Sequence, residues 1–287
     1  LRLPSGTWAM IYNLKRNNVS CHPHISKSTD EGKTWSEGKP VVIAPGYYEF
    51  TNDHGLVTGK GRLIVPVDML RVLTPDPNFE FPKGSSHSYG PEGPVSPRGI
   101  VLWYYSDDEG ATWNESQTWW AIPVASKSGL QEPMAVELAD GSLATWARSD
   151  QGVHYVFRSL DHGTTWSAPE RSELISPLGP ATIKRLPDSD KLLAIYNDHS
   201  GRYPFVAGRR SPLVAAVSSD GGRTWPQRKL IEGDPSLHLC YTSILFLGDA
   251  VLLGYTAGDR TDHYPDHRLG RYRIRRVSLS WLLEPDP

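Results

Sequence analysis

Short runs of apolar and β-branched residues alternate with clusters of Gly, Pro, Asp, Asn and Ser along the whole chain. These runs predict strands separated by turns, and none predicts a helix longer than about two turns. The predicted strands span residues 62–67, 100–105, 135–138, 143–148, 181–185, 192–196, 213–217, 243–247, 251–255 and 271–279. The pattern therefore predicts an all-β protein.

One eight-residue phrase, Ser-x-Asp-x-Gly-x-Thr-Trp, occurs four times, at residues 28–35, 106–113, 159–166 and 218–225. Its Asp hydrogen-bonds nearby backbone and its Gly accepts a positive φ, so the phrase predicts a tight turn with the Trp packed beside it. The four tryptophans lie 78, 53 and 59 residues apart. Self-similarity at a period of about 40–60 residues is typical of propeller blades.

Hairpin signals set the predicted number of blades. A Gly- or Asp-containing turn and a strand precede each phrase, and a fifth such hairpin, at Gly248-Asp249, has no phrase after it. A sixth blade would use the strand at 271–279, strands at the N-terminus, or both, and pairing the two ends would remove exposed sheet edges. We predict a six-bladed β-propeller of four-stranded antiparallel blades, forming one domain over residues 1–287.

The longest interval between repeats indicates an inserted loop at about residues 72–98, where Pro, Gly and Ser are abundant. A long loop in a compact domain is usually functional or mobile. The chain also begins in strand-like sequence without a start Met, which predicts a truncated or processed N-terminus. The sequence does not determine the localisation, although an extracytoplasmic one, periplasmic or secreted, is favoured.

Composition and charge narrow the functional class. A formal net charge of −2 argues against nucleic-acid binding, which usually needs a basic face. No apolar run of about 18 residues occurs, so no membrane span is predicted. The two cysteines, Cys21 and Cys240, make no disulfide framework. Cys21, His22 and His24 resemble metal ligands, but a second ligand pair at zinc spacing is missing, so neither a metal nor a cofactor is predicted.

The segment at 131–148, which reads QEPMAVELADGSLATWAR, carries candidate chemistry. It resembles the sialidase (neuraminidase) superfamily, in which the repeated phrase is called an Asp box. The resemblance implies that Glu132 is a catalytic carboxylate and that Arg148 binds substrate. A structural interpretation stays open, in which Glu132 caps a strand and Arg148 pairs with a nearby Asp.

Two later segments extend the resemblance over nearly the whole chain. The residues GRRSPL at 208–213 are similar to the segment that supplies another sialidase arginine, which implies Arg210, with Arg209 as the alternative. The residues LCYTSIL at 239–245 are similar to the segment with the nucleophilic tyrosine, which implies Tyr241. The order Glu, Arg, Arg, Tyr along the chain is the order of the family.

These residue types suit an acidic sugar. Guanidinium groups bind a carboxylate through two parallel hydrogen bonds. The sugar carboxylate would repel an anionic nucleophile but not a neutral Tyr hydroxyl, and sialidases are a known exception to the two-carboxylate mechanism. Because a free Tyr has a pKa of about 10, the hydroxyl needs a base within hydrogen-bond reach, and Glu132 is the implied base.

The chain departs from the family near its N-terminus. The Arg-Ile-Pro-like phrase that carries the family's first arginine is missing. Lys15 and Arg16, in the predicted loop at 12–24, fit the family's basic position. They are therefore candidate substrate-binding residues.

The same predicted loop contains no acid for the acid/base role. His22 and His24 are candidates because His titrates near neutrality, although both also fit as polar loop residues. Asp53, in the segment TNDH at 51–54, is the preferred candidate.

We therefore predict a sialidase-type glycoside hydrolase that releases a terminal sialic acid or a related acidic sugar from a glycan. Two alternatives remain. A non-catalytic carbohydrate-binding propeller is supported by the missing acid, and the same site would serve a hydrolase of uronic acids. Trp119, Trp120 and Trp146 are candidates for stacking on sugar rings, although packing is the simpler interpretation of each. The oligomeric state is undetermined.

Overall fold

The computed structural model describes residues 1–74, 76–79, 93–259 and 269–284. These ranges contain strands and one short helix, α1 (Leu279–Leu283). The strands are β1 (Trp8–Asn17), β2 (Ser20–Ser28), β3 (Lys39–Pro40), β4 (Tyr47–Glu49), β5 (Leu56–Val57), β6 (Leu63–Val72), β7 (Val95–Ser106), β8 (Asn114–Glu115), β9 (Gln131–Glu137), β10 (Leu143–Arg148), β11 (Val153–Ser159), β12 (Glu170–Ile175), β13 (Thr182–Arg185), β14 (Leu192–Asn197), β15 (Leu213–Ser218), β16 (Gln227–Glu232), β17 (Leu237–Leu247), β18 (Ala250–Asp259) and β19 (Tyr272–Ser278). The predicted all-β class is confirmed. Across these ranges, no helix has the length and apolar character needed to cross a membrane.

The described strands form four sheets. The first has eight strands in the order β1-β2-β4-β6-β7-β8, with β3 beside β2 and β5 beside β6. The other three follow the orders β12-β11-β10-β9, β13-β14-β15-β16 and β17-β18-β19. In the first sheet, a single parallel pair, Cys21 with Tyr47, links β2 to β4 and so joins two antiparallel groups. The described residues thus contain four-stranded antiparallel sheets, while six blades in a closed ring stay a prediction.

Each strand predicted from the hydrophobic pattern overlaps a strand of the structure, and β10 coincides with its prediction. The predicted loop at 12–24 is wrong, because these residues belong to a hairpin of β1 and β2 that turns between Asn17 and Ser20. The end of β1 that carries Lys15 and Arg16 is exposed, so it lacks the apolar run that would have revealed a strand.

The predicted inserted loop at 72–98 is shorter than expected at both ends. Val72 is the last residue of β6, and β7 begins at Val95. Residues 75 and 80–92 of the predicted loop lie outside the described residues.

The chain divides into two compact units. The first comprises Leu1–Glu137, Gly141–Thr145 and Phe157–Pro169, and the second comprises Leu138–Asp140, Trp146–Val156 and Glu170–Pro287. In the first unit, the buried core includes Leu63, Val65 and Tyr104. In the second unit, it includes Leu193, Leu239 and Leu253.

The four copies of the phrase fold into the same hydrogen-bonded turn, here called the repeat turn. In the first copy, Ser28 Oγ donates to Asp30 Oδ1 (2.7 Å) and accepts from the N–H of Gly32 (2.8 Å). The carboxylate of Asp30 accepts from both the N–H and the hydroxyl of Thr34, at 2.9 and 2.6 Å. The same four bonds recur in the other three copies. The hydrogen-bonded turn predicted for the phrase is therefore confirmed.

Replacing Ser218 by Ala is expected to lower the free energy of unfolding by about 1–3 kcal/mol, since it removes the partner of a buried group. The buried Ser218 hydroxyl donates to Asp220 (2.8 Å) and accepts from the N–H of Gly222 (2.9 Å). Urea unfolding followed by circular dichroism measures the change. The exposed neighbour provides the control, because Ser219→Ala should leave stability nearly unchanged. Equal effects of the two substitutions would show that the hydrogen bonds of Ser218 do not stabilise the fold.

The aspartates of the repeat turns predict a loss of stability in acid. Hydrogen bonds from the side chain and backbone of Thr34 lower the pKa of Asp30 from 3.8 to about 2. For Asp220, burial raises the pKa, but hydrogen bonds from Thr224 outweigh this effect and lower the pKa to about 2. Folded-state pKa values below the unfolded ones contribute stability that is present above pH 4 or so and lost as the pH falls towards about 2.

We therefore expect the melting temperature to fall over that pH interval, as measured by circular dichroism. Asp220→Asn removes one carboxylate with a lowered pKa, so its melting temperature should depend less steeply on pH there. If the melting temperature stays constant from pH 4 to about 2, the repeat-turn aspartates do not cause a loss of stability in acid. The same holds if the melting temperature of the Asp220→Asn variant depends on pH as steeply as that of the parent.

Candidate active site

Tyr241 lies inside β17, at a point where the strand is irregular. The pairing of β17 with β18 shifts between Cys240 and Ser243, so the strand bulges at the position of Tyr241. The backbone of Tyr241 has a φ of 54°, in the left-handed region. Bulges re-aim side chains and are frequent beside active sites. The sequence predicted a strand from residue 243 only, and the structure begins it at Leu237.

Arg210 packs against Tyr241 within the second unit. Its guanidinium carbon lies 5.3 Å from the centroid of the Tyr241 ring. Its Nε donates to the carbonyl oxygen of Leu178 (3.1 Å) and its Nη1 to the Cys240 sulfur (3.2 Å). The guanidinium is thus held in one orientation beside the phenol, where cation and ring attract each other.

Asn197, at the end of β14, connects the two segments that carry this pair. Its Nδ2 donates to the carbonyl oxygen of Leu239 on β17 (2.9 Å) and to that of Pro212 after Arg210 (3.2 Å). The side chain is buried. On the other side of the bulge, the Thr182 hydroxyl donates to the carbonyl oxygen of Thr242 (2.5 Å). Sequence reasoning missed Asn197, although an amide directly after the apolar run of β14 was a signal.

Glu132 lies at the start of β9, in the first unit. Its side chain is only 8% exposed, and its backbone φ is 50°. The Glu132 N–H donates to Oδ1 of Asp68, a fully buried carboxylate on β6 (3.0 Å). His54, also fully buried, has its Nδ1 3.2 Å from the carbonyl oxygen of Pro133. Asp68 and His54 therefore fix the backbone on either side of the Glu132–Pro133 bond. Sequence reasoning missed both, although Asp68 interrupts an apolar run.

The backbone geometry of Glu132 and Tyr241 is unusual within strands. Among the described residues, the other non-glycine residues with positive φ lie in turns: Glu31, Asn52, Glu109, His162 and Asp188. A non-glycine residue in this region costs about 1–3 kcal/mol and persists only where surrounding contacts enforce it. The two strand residues that adopt this conformation are the two for which the family resemblance implies a catalytic role.

Two further candidate arginines, Arg148 and Arg209, lie in the second unit. Arg148 is the last residue of β10 and is half-buried. Arg209, the alternative to Arg210, donates from Nη1 to the carbonyl oxygen of Pro235 (3.0 Å). Arg210 therefore contacts Tyr241, whereas Arg209 is engaged with the backbone of another segment.

The N-terminal candidates lie on the β1–β2 hairpin of the first unit. Lys15 and Arg16 are exposed near the end of β1, and Lys15 Nζ lies 5.8 Å from the centroid of the Tyr47 ring. His22 Nε2 lies 3.0 Å from the carbonyl oxygen of Ala44. His24 is buried, with its Nδ1 3.0 Å from the carbonyl oxygen of His22.

Cys21 sits beside these histidines on β2 but is poorly suited to bind a metal. Burial, reinforced by the nearby charge of Glu49, raises the pKa of its thiol to about 12. A metal needs the thiolate. Across the described ranges, no three His, Cys, Asp or Glu side chains are grouped so that they could hold a metal ion.

Asp53 is half-buried in the first unit and follows Asn52, which has a φ of 44°. Its neighbour His54 contacts the segment of Glu132. The structure thus brings Arg210 and Tyr241 together in one unit. In the first unit, Asp53 is the neighbour of His54, and His54 contacts the segment that contains Glu132. The convergence of Glu132, Arg148, Arg210 and Tyr241 on one pocket stays a prediction.

The sequence pattern of the BNR repeat-like domain matches residues 1–264. The chain belongs to the BNR repeat-like family. This membership agrees with the four repeat turns and confirms the predicted family of BNR (Asp-box) repeats. A comparison with curated proteins found no match to this BNR repeat-like protein.

Solved structures share the fold. A variant of NanB sialidase from Streptococcus pneumoniae is 17% identical, with a TM-score of 0.63, and the match covers 91% of this chain and 36% of that one. The leech intramolecular trans-sialidase is 18% identical, with a TM-score of 0.61 and coverages of 92% and 37%. A protein of unknown function from Dyadobacter fermentans is 18% identical, with a TM-score of 0.52 and coverages of 96% and 91%. The BNR repeat-like protein spans just over a third of the length of the two sialidases.

Proposed function

We propose that this BNR repeat-like protein is a sialidase-type glycoside hydrolase that releases a terminal sialic acid or a related acidic sugar from a glycan. The observation that carries the proposal is the pair of Arg210 and Tyr241, with the guanidinium 5.3 Å from the ring centroid. A fixed cation stabilises negative charge that develops on the phenol oxygen as the hydroxyl is deprotonated. A guanidinium is also the group best suited to a sugar carboxylate.

In the proposed reaction, the Tyr241 oxygen attacks the anomeric carbon while its proton passes to the Glu132 carboxylate. The bond from the anomeric carbon to the leaving oxygen breaks, and that oxygen takes a proton from Asp53. Water then attacks the sugar, giving its proton to Asp53, and the released Tyr241 oxygen recovers its proton from Glu132. Dividing the reaction into two displacements is the usual benefit of covalent catalysis.

The proposal assigns the sugar carboxylate to Arg210, Arg148 and a cation of the β1–β2 hairpin, either Arg16 or Lys15. Arg209 is the alternative to Arg210. These residues would line one cavity in the proposed six-bladed, closed propeller of Asp-box repeats. Such a ring offers a central site built from side chains of several blades.

Asp53 is the proposed acid/base, with His22 and His24 as alternatives. The burial of His24 and the contact of its ring with the His22 carbonyl oxygen favour Asp53. A carboxylic acid within hydrogen-bond reach of the leaving oxygen can donate a proton to it.

Non-catalytic glycan binding is the competing function. The observation that favours it is the absence of any Asp or Glu in the β1–β2 hairpin, where the family resemblance calls for an acid. A hydrolase of uronic acids is a second variant, because the same arginine-carboxylate contacts would serve that sugar.

Release of the aryl group from an aryl sialoside and from an aryl glucuronide distinguishes these functions. We expect release from the sialoside at a rate at least about ten times that from the glucuronide. Arg210→Ala should reduce turnover by about 100-fold through loss of one charge-assisted contact, whereas Arg209→Ala should change it only a few-fold. Binding of sialic acid without any release would establish the non-catalytic function instead, and preferential release from the glucuronide would establish the uronic acid specificity.

A further inference from the structure

A pocket with a volume of about 990 Å³ lies on the first unit. Ligand sites in proteins usually have volumes of about 300–1,000 Å³. The pocket includes none of the residues to which a catalytic role is proposed. Its lining comes from β6 and the residue after it, from β7, and from the segment at 119–127. It is therefore a candidate site separate from the Arg210–Tyr241 pair.

Strand alternation explains how two walls of the pocket form. Side chains two residues apart in a strand point to the same side of the sheet. Met69 and Arg71 on β6 and Arg98 and Ile100 on β7 line the pocket in this way. Each strand thus supplies one apolar group and one guanidinium to the same surface.

The third wall depends on two glycines. Gly99 on β7 and Gly129 pair through their backbones, which brings the segment at 119–129 against the strand. A Cβ on Gly99 would overlap the carbonyl oxygen of Leu130, and a Cβ on Gly129 would overlap that of Gly99. This close approach places Trp119 and Lys127 along the pocket.

The charges of the pocket are all of one sign. Arg71, Arg98 and Lys127 line it, and no described residue of the lining is acidic. The pairing of β6 with β7 aligns Leu70 with Gly99 and shifts between Leu70 and Val72, so Arg71 and Arg98 each lie one residue beyond that pair on neighbouring strands. Like charges that lie close together on neighbouring strands repel each other. In the part of the chain that the structure describes, neither guanidinium forms a salt bridge. An anionic ligand would relieve this repulsion.

The apolar part of the pocket specifies the ligand further. Trp119 is 56% exposed, which is a large aromatic surface to leave in water. Leu73 and Val124 are also exposed beside it. Because Arg71 and Arg98 come from two strands and Trp119 from a third segment, a ligand with separated negative charges and an apolar face would engage all three. A chain of carboxylated sugars has carboxylates at intervals and apolar C–H faces that fit an aromatic ring.

We propose that this pocket binds a carboxylated oligosaccharide, with carboxylates at Arg71 and Arg98 and a sugar face against Trp119. Sialylated glycans and uronic acid chains share this chemistry. The pocket would hold such a glycan independently of any cleavage at Tyr241. The inference therefore goes beyond the proposed hydrolase, and either one can hold without the other.

Isothermal titration calorimetry on the full chain tests the proposal. The chain carries Tyr241→Phe and Arg210→Ala, so that no probe is consumed and binding at the proposed active site is weakened, and the probes are tetragalacturonate, sialyllactose and the neutral maltotetraose. We expect at least one acidic probe to bind and maltotetraose not to bind. The double variant Arg71→Ala/Arg98→Ala should weaken binding at least tenfold, Trp119→Ala should weaken it several-fold, and added salt should weaken it more in the parent than in the double variant. Which acidic probe binds more tightly identifies the natural class of glycan.

Two controls keep the result decisive. Arg276→Ala removes an exposed arginine of the second unit and should leave probe binding unchanged. With Tyr241 and Arg210 both restored, turnover of a small aryl sialoside by the Arg71→Ala/Arg98→Ala variant should stay within about twofold, since neither Arg71 nor Arg98 has a catalytic role. The proposal is overturned if neither acidic probe binds, if maltotetraose binds equally well, or if the double variant binds like the parent. If the protein shows the expected binding but no hydrolase activity, only the proposed function is excluded.

Discussion

Replacing Tyr241 by Phe is expected to lower turnover of an aryl sialoside by about a thousandfold or more, because it removes the proposed nucleophile. The substitution deletes a single oxygen atom and keeps the ring that packs beside Arg210. The affinity for free sialic acid should therefore change by only a few-fold. Initial rates of aryl release give the first quantity, and calorimetry with sialic acid gives the second.

The control for this substitution is Tyr272→Phe, which removes the same atom from a tyrosine on β19 that is 73% exposed. It should leave both turnover and affinity unchanged. Full activity of the Tyr241→Phe variant would exclude Tyr241 as the nucleophile. Parallel losses of turnover and affinity would instead assign Tyr241 to substrate binding.

Replacing Trp103 by Ala is expected to lower the free energy of unfolding by about 3–5 kcal/mol, the usual cost of removing a buried tryptophan. Trp103 is 0% exposed in the first unit. Its ring stacks on Trp166 at a centroid distance of 4.5 Å and meets the edge of Phe157 at 5.2 Å. Its Nε1 donates to the Thr145 hydroxyl (3.0 Å), so the substitution also leaves a buried polar group without its partner.

Urea unfolding followed by circular dichroism measures this loss. The matched control is Trp35→Ala, because Trp35 belongs to a repeat turn but is 38% exposed. Its substitution should cost less, about 1–2 kcal/mol, because more than a third of its surface already lies in water. If both variants unfold at the same urea concentration, stacking around Trp103 does not dominate the stability of this unit.

The three tryptophans predicted as candidates for stacking on sugar rings differ in their exposure and contacts. Trp146 is buried and meets Trp225 edge-on at 6.1 Å, so it belongs to the core of the second unit. Trp120 donates from Nε1 to the carbonyl oxygen of Trp166 (3.0 Å). Of the three candidates, Trp119 alone is largely exposed, and it lines the cationic pocket. Sequence could not separate them, because exposure depends on which strands pack above each ring.

Strands with a buried apolar run were predictable, and strands with an exposed polar face were not. β14 reads as a continuous apolar run and is buried throughout, so its prediction was confirmed. β1 exposes Lys15 and Arg16, and it was predicted as part of a loop. Its strand conformation comes from pairing with β2, which is a contact between segments rather than a property of either one.

By itself, the sequence determined the repeat turns, the all-β class and the family. Each repeat turn closes through bonds between residues two or four positions apart, so the eight residues of the phrase contain all the donors and acceptors that it needs. The tertiary structure alone decided the surroundings of the candidate catalytic residues. Asp68 reaches Glu132 across 64 positions and Asn197 reaches Leu239 across 42, and these contacts hold the unusual backbone of each site. A local pattern carries local hydrogen bonds, whereas long-range contacts exist only once the sheets have packed.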